Sequence, residues 1–239
     1  MRVIAVTSQK GGTGKTTMSG HLAVQAERMG MGPVVLVDCD PQGSLTNWWN
    51  LRQSETPVLV QTSLSKLADD LLALRETGVK LVIIDTPPAI TWTIINVVKA
   101  ADLVVIPVRP SPHDLAATGS TVDLIEGIGK PMIFVINSAS QRARITGEAA
   151  VALSQHGTVA PAIVHHRADF AASMIDGRTV MELPRAERST GEIEALWDYL
   201  DKRLLRLNAV VPASTPADST IEEPPGEQPR LQAVGGTYG

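Results

Sequence analysis

Cysteine is almost absent from this sequence, which also lacks long apolar runs and any excess of positive charge. One cysteine among 239 residues excludes an internal disulfide framework and a zinc cluster built from cysteines, and it fits a reducing compartment. No uncharged stretch approaches the roughly 20 apolar residues of a membrane-spanning helix, and the first residues show no apolar signal segment. The net charge of −4 gives no general attraction to nucleic acid, so any basic surface must be assembled by folding. We therefore expect a cytoplasmic protein without a membrane partner.

Short runs rich in valine, isoleucine and leucine recur along the chain between segments with helical spacing. These runs are 2–8, 34–39, 81–86, 103–108 and 132–137. Because they are almost continuously apolar, they are typical of strands buried on both faces of a parallel sheet. Helices are predicted at 15–29, 64–77, 114–127, 147–156 and 189–207. The alternation predicts an α/β fold with a doubly wound, mostly parallel sheet and helices on both of its faces.

The composition changes abruptly near residue 208. Residues 209–239 are rich in proline, serine and glutamate and show no apolar periodicity, so they cannot bury enough surface to offset the entropy of ordering. The sequence therefore predicts one domain over 1–208, followed by a disordered tail over 209–239.

The stretch SQKGGTGKTT, residues 8–17, lies between the first predicted strand and the first predicted helix. It resembles the phosphate-binding loop G-x-x-x-x-G-K-[ST], but Gln9 stands where the first glycine belongs, and a second lysine, Lys10, precedes the glycines. Glycines let backbone N–H groups curl around phosphate oxygens, and the start of the helix adds the positive end of its dipole. Lys15 is expected to reach the β- and γ-phosphates, and the Thr16 hydroxyl to bind Mg²⁺. The predicted nucleotide-binding residues of this loop are Gly11, Gly12, Thr13, Gly14, Lys15, Thr16 and Thr17.

Aspartates follow two of the predicted strands at the point where each strand ends. They are Asp38 and Asp40 in VLVDCDPQG, and Asp85 in LVIIDTPP. Ligands of open α/β sheets bind at the carboxyl ends of the strands, so these acids are expected beside the loop. Asp40 is the candidate for orienting an attacking water, Asp85 for reaching the metal through water, and Asp38 for a position behind the metal's direct ligands. For any single one of them, capping of the following helix stays open as the alternative.

A family resemblance is carried by three stretches that follow one another along the chain: KGGTGKTT (10–17), LVDCDPQGS (36–44) and VIIDTPP (82–88). With weaker support from VRPSPHDLAATG (108–119) and RADFAASMIDGRTV (167–180), the chain resembles the deviant Walker A ATPases of the ParA/MinD superfamily. It is most similar to the short ParA-type partition and positioning ATPases. The resemblance spans roughly residues 1–207 and implies a P-loop ATPase that uses ATP and Mg²⁺.

The resemblance also implies roles for particular residues. Lys10 matches the signature lysine, which crosses an ATP-sandwich homodimer to touch the phosphates bound by the other subunit; the catalytic candidates are thus Lys10, Lys15 and Asp40. Gly12 would lie where the two loops approach closely. Asn137 and Arg167 match positions near the adenine base in relatives.

ParA proteins bind DNA without sequence preference as the ATP dimer, and a cargo-bound ParB-like or adaptor protein stimulates hydrolysis and release. By resemblance, this chain is expected to be nucleoid-associated and to position a plasmid, a chromosome or another intracellular cargo. Solvated helix charges remain the alternative for each basic residue of the C-terminal part. The candidate DNA-binding residues are Arg142, Arg144, Arg185, Arg188, Arg203 and Arg206.

Two other functions in this superfamily and fold stay open. A MinD-like membrane-associated ATPase would attach by a C-terminal amphipathic helix, whereas this C-terminus is acidic and rich in proline. A P-loop small-molecule ligase would phosphorylate a carboxylate substrate, but Lys10 and the D-x-D-P-Q-G stretch fit the ParA pattern better.

Overall fold

The computed structural model describes residues 1–88 and 92–210, with side chains as far as residue 207. Seven parallel strands form one sheet in the order β3-β2-β4-β1-β5-β6-β7. The strands are β1 Arg2–Val6, β2 Val34–Asp38, β3 Val58–Val60, β4 Leu81–Asp85, β5 Leu103–Val108, β6 Met132–Ile136 and β7 Thr158–Val159. The helices are α1 Lys15–Arg28, α2 Ser44–Asn50, α3 Leu67–Glu76, α4 Trp92–Ala100, α5 Pro112–Ile128, α6 Arg144–Ser154, α7 Ala168–Met174 and α8 Glu187–Val210, with a 3₁₀ turn at Val180–Glu182.

The predicted α/β fold is confirmed, and each face of its sheet packs against helices. Alternate residues of β1 face opposite sides: Ile4 joins a core with α1, α2 and α8, while Val3 joins a core with α3, α4, α5 and α6. Because both sets are buried, apolar residues at every position of a central strand stabilise the fold. This two-sided burial is why the central strands appear in the sequence as unbroken apolar runs.

The predicted tail begins inside a helix. Helix α8 continues to Val210 and so includes the first two residues of the 209–239 segment. Residues 211–239 lie outside the described residues. Within the described ranges, no helix is both long and apolar enough to cross a membrane.

The sheet topology brings the motifs together at the carboxyl ends of the strands. β1 pairs in parallel with β4 and with β5, and β4 pairs in parallel with β2, so their carboxyl ends lie side by side. The motifs therefore meet at the carboxyl end of the sheet. These are the loop that follows β1, the aspartates that end β2 and β4, and the residues that follow β5 and β6.

Candidate nucleotide-binding site

The glycine-rich loop ends in a backbone conformation that favours glycine. Gly12 and Gly14 have φ angles of 73° and 95°, in the left-handed region, and Gly14 directly precedes α1. Asn137, which follows β6, donates a hydrogen bond from Nδ2 to the Thr13 carbonyl oxygen at 2.6 Å. A Cβ atom on Gly14 would lie only 2.3 Å from that same Nδ2 atom. Asn137 thus lies against the loop, and its contact requires a glycine at position 14.

Lys15, the first residue of α1, folds back over the loop. Its side chain is buried, and its Nζ lies 3.4 Å from the carbonyl oxygen of Lys10. Burial lowers the pKa of Lys15, and the carboxylates of Asp85 and Asp40 oppose that shift. An ammonium group held over a loop of backbone N–H groups is suited to binding a phosphate.

Thr16 and Asp85 join the start of α1 to the end of β4. The Thr16 hydroxyl donates to Asp85 Oδ2 at 2.6 Å, and Ser19 Oγ lies 3.4 Å from Asp85 Oδ1. Asp85 is fully buried, and this burial, reinforced by the charge of Asp38 and opposed by the Thr16 hydrogen bond, raises its pKa to about 7. A hydroxyl and a buried carboxylate are hard oxygen donors, and a divalent cation would offset the cost of burying the acid. The two side chains therefore fit Mg²⁺, directly or through water.

Asp38 and Asp40 have different surroundings. Asp38 Oδ2 accepts hydrogen bonds from Thr46 N at 2.8 Å and Thr46 Oγ1 at 2.9 Å, and its Oδ1 accepts from Asp40 N at 3.0 Å. Asp38 therefore binds the first turn of α2, as the capping alternative expects. Asp40 Oδ1 accepts from Gln42 N at 3.0 Å, whereas its Oδ2 makes no hydrogen bond with any residue that the structure describes. One oxygen of Asp40 is thus available for a bound water.

Lys10 and Gln9, the two departures from the usual loop pattern, both contact α5. Lys10 Nζ donates to Asp114 Oδ2 at 2.7 Å, and Ser120 Oγ donates to Gln9 Oε1 at 2.6 Å. Asp114 is buried in the first turn of α5 and also bonds Ser111. Burial opposes ionisation of Asp114, but the hydrogen bonds from Lys10 and Ser111 outweigh it and lower its pKa. In the single chain the Lys10 ammonium group is thus paired with α5.

A cleft of about 240 Å³ opens beside Gly14 and Thr17. Asn137, Arg109 and Arg167 contribute polar groups to its wall. Arg167 is itself held by Glu192, whose Oε1 accepts from Arg167 Nη2 at 2.7 Å. The apolar part of the lining is formed by Met18, Val164, Phe170 and Ile193. An apolar cleft with polar groups beside a phosphate loop is suited to a nucleoside, and it brings together the two residues expected near the base.

Two lining residues were missed by sequence reasoning. Arg109 directly follows β5 at the edge of the sheet that carries the other motifs, so its position after a predicted strand was a usable signal. His21 is fully buried inside α1, where Nδ1 bonds the Thr17 carbonyl oxygen at 2.7 Å and Nε2 accepts from Val180 N at 3.2 Å. Burial lowers the pKa of His21 to about 4. A histidine within a helix gave no comparable signal in the sequence.

The six candidate DNA-binding arginines lie in two parts of the chain, around the start of α6 and just before or on α8. Arg142 and Arg144 are exposed before and at the start of α6, where Arg144 pairs with Glu148 at 2.7 Å. The other four lie just before or on α8; Arg203 is half-buried there, and Arg185, Arg188 and Arg206 are exposed.

A parallel α/β sheet with a glycine-rich loop, and a Lys-Thr pair opening the next helix, defines a P-loop nucleotide-binding domain. The chain belongs to the family described as the CobQ/CobB/MinD/ParA nucleotide-binding domain, which matches residues 4–211. The ParA/MinD resemblance of the motifs is thereby confirmed.

Individual relatives and structures agree with this family. The chain is 31% identical over 198 residues to the maintenance of carboxysome distribution protein A of Halothiobacillus neapolitanus, covering 79% of this chain and 91% of the relative. It is 33% identical over 158 residues to the chromosome-partitioning ATPase Soj of Thermus thermophilus, covering 54% of this chain and 63% of the relative. The fold is similar to that of the cell division ATPase MinD of Pyrococcus furiosus, with a TM-score of 0.71 at 17% identity and coverage of 84% of this chain and 99% of the other.

Proposed function

We propose that this protein is an ATP-dependent positioning ATPase of the ParA type. ATP binding produces a homodimer that binds nucleoid DNA without sequence preference, and hydrolysis stimulated by a cargo-bound partner releases it. The observation that carries the proposal is the pair of lysines on one loop: Lys15 folded over the loop, and Lys10 directed away from it toward α5. A loop that binds only the nucleotide of its own subunit needs Lys15 but not Lys10.

The loop residues Gly11, Gly12, Thr13 and Gly14, with Lys15, Thr16 and Thr17 at the start of α1, would cradle the phosphates of ATP. Mg²⁺ would be held by the Thr16 hydroxyl and, through water, by Asp85, with Asp38 behind them. A magnesium ion held there supplies positive charge to the β- and γ-phosphate oxygens. Asn137 and Arg167 would face the base across the cleft beside Gly14.

Hydrolysis needs an oriented water and charge stabilisation on the transferring phosphoryl group. Asp40 fits the first task because its Oδ2 is free of hydrogen bonds to the described residues, while its other oxygen is held by Gln42 N. Lys10 fits the second task when it reaches the partner subunit's nucleotide, as an arginine finger does in other P-loop enzymes. Dimerisation and turnover would then depend on the same residue.

Similarity to relatives named for carboxysome distribution and for chromosome partitioning supports a positioning role in the cytoplasm. We propose that nucleoid DNA is the surface along which the ATPase is distributed. The exposed arginines at the start of α6 and on α8 are the candidates for phosphate contacts, and contacts of that kind predict binding that weakens steeply with salt. An adaptor protein or a ParB-like protein on the cargo would supply the stimulation.

The test compares retention on DNA of the wild-type protein with ATP, with ADP, and of a Lys15→Ala variant with ATP. We expect retention only for the wild type with ATP. Equal retention in all three states would remove the proposal, because binding would then be independent of the nucleotide. ATP-dependent sedimentation with anionic liposomes, without DNA retention, would favour the MinD-like alternative instead.

A further inference from the structure

Among the residues that the structure describes, Arg109 is the cation near the loop that has no protein partner. Lys15 lies on the Lys10 carbonyl oxygen, and Lys10 is paired with Asp114. The exposed guanidinium of Arg109 makes neither a hydrogen bond nor an ion pair with the residues that the structure describes.

The backbone fixes where this guanidinium lies. Arg109 is the first residue beyond β5, which pairs with β1 on one side and β6 on the other. The Asn137 N–H donates to the carbonyl oxygen of Val108 at 2.8 Å, which ties the ends of β5 and β6 together beneath the loop. Arg109 therefore begins at the end of the strand next to β1, which itself leads into the loop, and its side chain extends toward Gly12.

The side chain covers the glycines. Arg109 Nη2 lies 3.4 Å from the position that a Cβ atom of Gly12 would take, and the side chain lines the cleft beside Gly14 and Thr17. Those glycines and the start of α1 present backbone N–H groups, the usual ligands of a phosphate. A planar guanidinium matches phosphate oxygens in a bidentate geometry that an ammonium group cannot reproduce.

We propose that Arg109 binds a phosphate of the nucleotide held by its own loop, as a second charged phosphate ligand beside Lys15. This inference rests on the proposed function in requiring a nucleotide at the loop. It adds a residue that neither the P-loop pattern nor the signature lysine supplies. A carboxylate partner for Arg109 would argue against it. The charge of Arg109 helps to lower the pKa of Asp114, but the hydrogen bonds that Asp114 Oδ2 accepts come from Lys10 and Ser111, and Arg109 forms no ion pair with any described residue.

The experiment measures Kd for MgATP and MgADP in the wild type and in Arg109→Ala, Arg109→Met and Arg109→Lys. Methionine keeps the length of an unbranched chain without charge, and lysine keeps the charge without the planar fork. We expect Kd for both nucleotides to rise about tenfold or more in the alanine and methionine variants, and to recover in part in the lysine variant. Arg75→Ala, which removes an exposed arginine from α3, is the matched control and should stay within about twofold of the wild type.

Two results would overturn the role of Arg109. Alanine and methionine variants that bind both nucleotides within about twofold of the wild type would show that Arg109 touches no phosphate. A methionine variant that binds like the wild type while the alanine variant does not would assign Arg109 a packing role over Gly12.

A wild-type protein that binds no ATP, or a Lys15→Ala variant that binds it normally, would instead contradict the proposed function. Failure of the Arg109 proposal and failure of the proposed function are therefore distinguishable.

Discussion

Gly14 is required both by its backbone conformation and by the close approach of Asn137. Its φ of 95° lies where a Cβ clashes with its own backbone, and a Cβ there would also lie 2.3 Å from Asn137 Nδ2. We expect Gly14→Ala to lower the free energy of unfolding by roughly 2 kcal/mol and to abolish detectable ATP binding, because the loop must shift away from Asn137. Urea unfolding and a nucleotide-binding titration measure the two effects.

The control is Gly191→Ala, in the first half of α8, where an added Cβ meets nothing within 4 Å. In that setting alanine should be neutral or should stabilise the protein by up to about 1 kcal/mol, with ATP affinity unchanged. Similar losses in the two variants would show that the geometry of Gly14 is not the cause.

His21 makes stability depend on pH. Both ring nitrogens are engaged, Nδ1 with the Thr17 carbonyl oxygen and Nε2 with the Val180 N–H, so protonation would place one N–H against another. Its pKa falls from 6.5 to about 4 on burial, so between those values the unfolded chain binds the extra proton. Stability is therefore lost as the pH falls through this window, by up to roughly 3 kcal/mol from this group.

The pH prediction compares wild-type protein with His21→Gln by urea unfolding at pH 7, 6 and 5. Removing the titrating ring should flatten the decline in unfolding free energy toward low pH, even though the variant is less stable at pH 7. His156→Gln, at an exposed position, should follow the wild-type slope. Parallel curves for wild type and His21→Gln would assign the acid sensitivity to other groups.

At the scale of elements, the loop between β2 and α2 depends on Asp38. Its two oxygens accept three hydrogen bonds, two of them from Thr46 in the first turn of α2. We expect Asp38→Ala to cost about 1 kcal/mol of unfolding free energy, with Kd for MgATP changed less than about threefold. Calorimetric unfolding and an ATP titration over a range of Mg²⁺ concentrations separate the two effects.

Asp123→Ala, which removes an exposed aspartate from the middle of α5, should change stability by no more than about 0.5 kcal/mol. A large loss of MgATP affinity in Asp38→Ala that excess Mg²⁺ restores would contradict the capping interpretation. It would instead make Asp38 a direct ligand of the metal and not a group behind the ligands.

The elements that the sequence predicts well are those with both faces buried. β1, β4 and β5 are long apolar runs, and they were predicted to within two residues at each end. β3 and β7 lie at the two edges of the sheet and have only three and two residues, too few for a periodic pattern. The helices α4 and α7 were also not predicted. The loop and its acids could be predicted because their residue types are dictated by phosphate and metal chemistry.

In the candidate site, the sequence predicts which side chains are present but not which partners they contact. The direction of the Lys10 side chain depends on where α5 packs, and the capping role of Asp38 depends on the path of the chain into α2. A sequence motif specifies which groups are present, whereas tertiary packing decides which partner each group has. Arg109 is an intermediate case, because its place after a strand was visible in the sequence, whereas its lack of a hydrogen-bond partner among the described residues was not.

At the scale of the whole molecule, Lys10 links the fold of one subunit to its assembly with another. In the single chain it is paired at 2.7 Å with Asp114, whose side chain is only 6% exposed, against 37% for Lys10. An ammonium group that crosses to a partner's nucleotide must leave this carboxylate or share it. The same lysine therefore has a structural role in one chain and an assembly role in the dimer, and an experiment must separate the two.

Removing Lys10 alone leaves Asp114 buried without its cation, which is costly, whereas removing both partners of a buried pair is much less so. We expect Lys10→Ala to bind ATP but to unfold more readily than the wild type and to remain monomeric with ATP, as measured by light scattering and thermal unfolding. The double variant Lys10→Ala with Asp114→Asn should regain much of the lost stability and still fail to dimerise or to show stimulated hydrolysis. Lys66→Ala, at an exposed position, should behave as the wild type. Recovery of dimerisation along with stability in the double variant would mean that Lys10 contributes only through Asp114, and the role across the dimer would have to be abandoned.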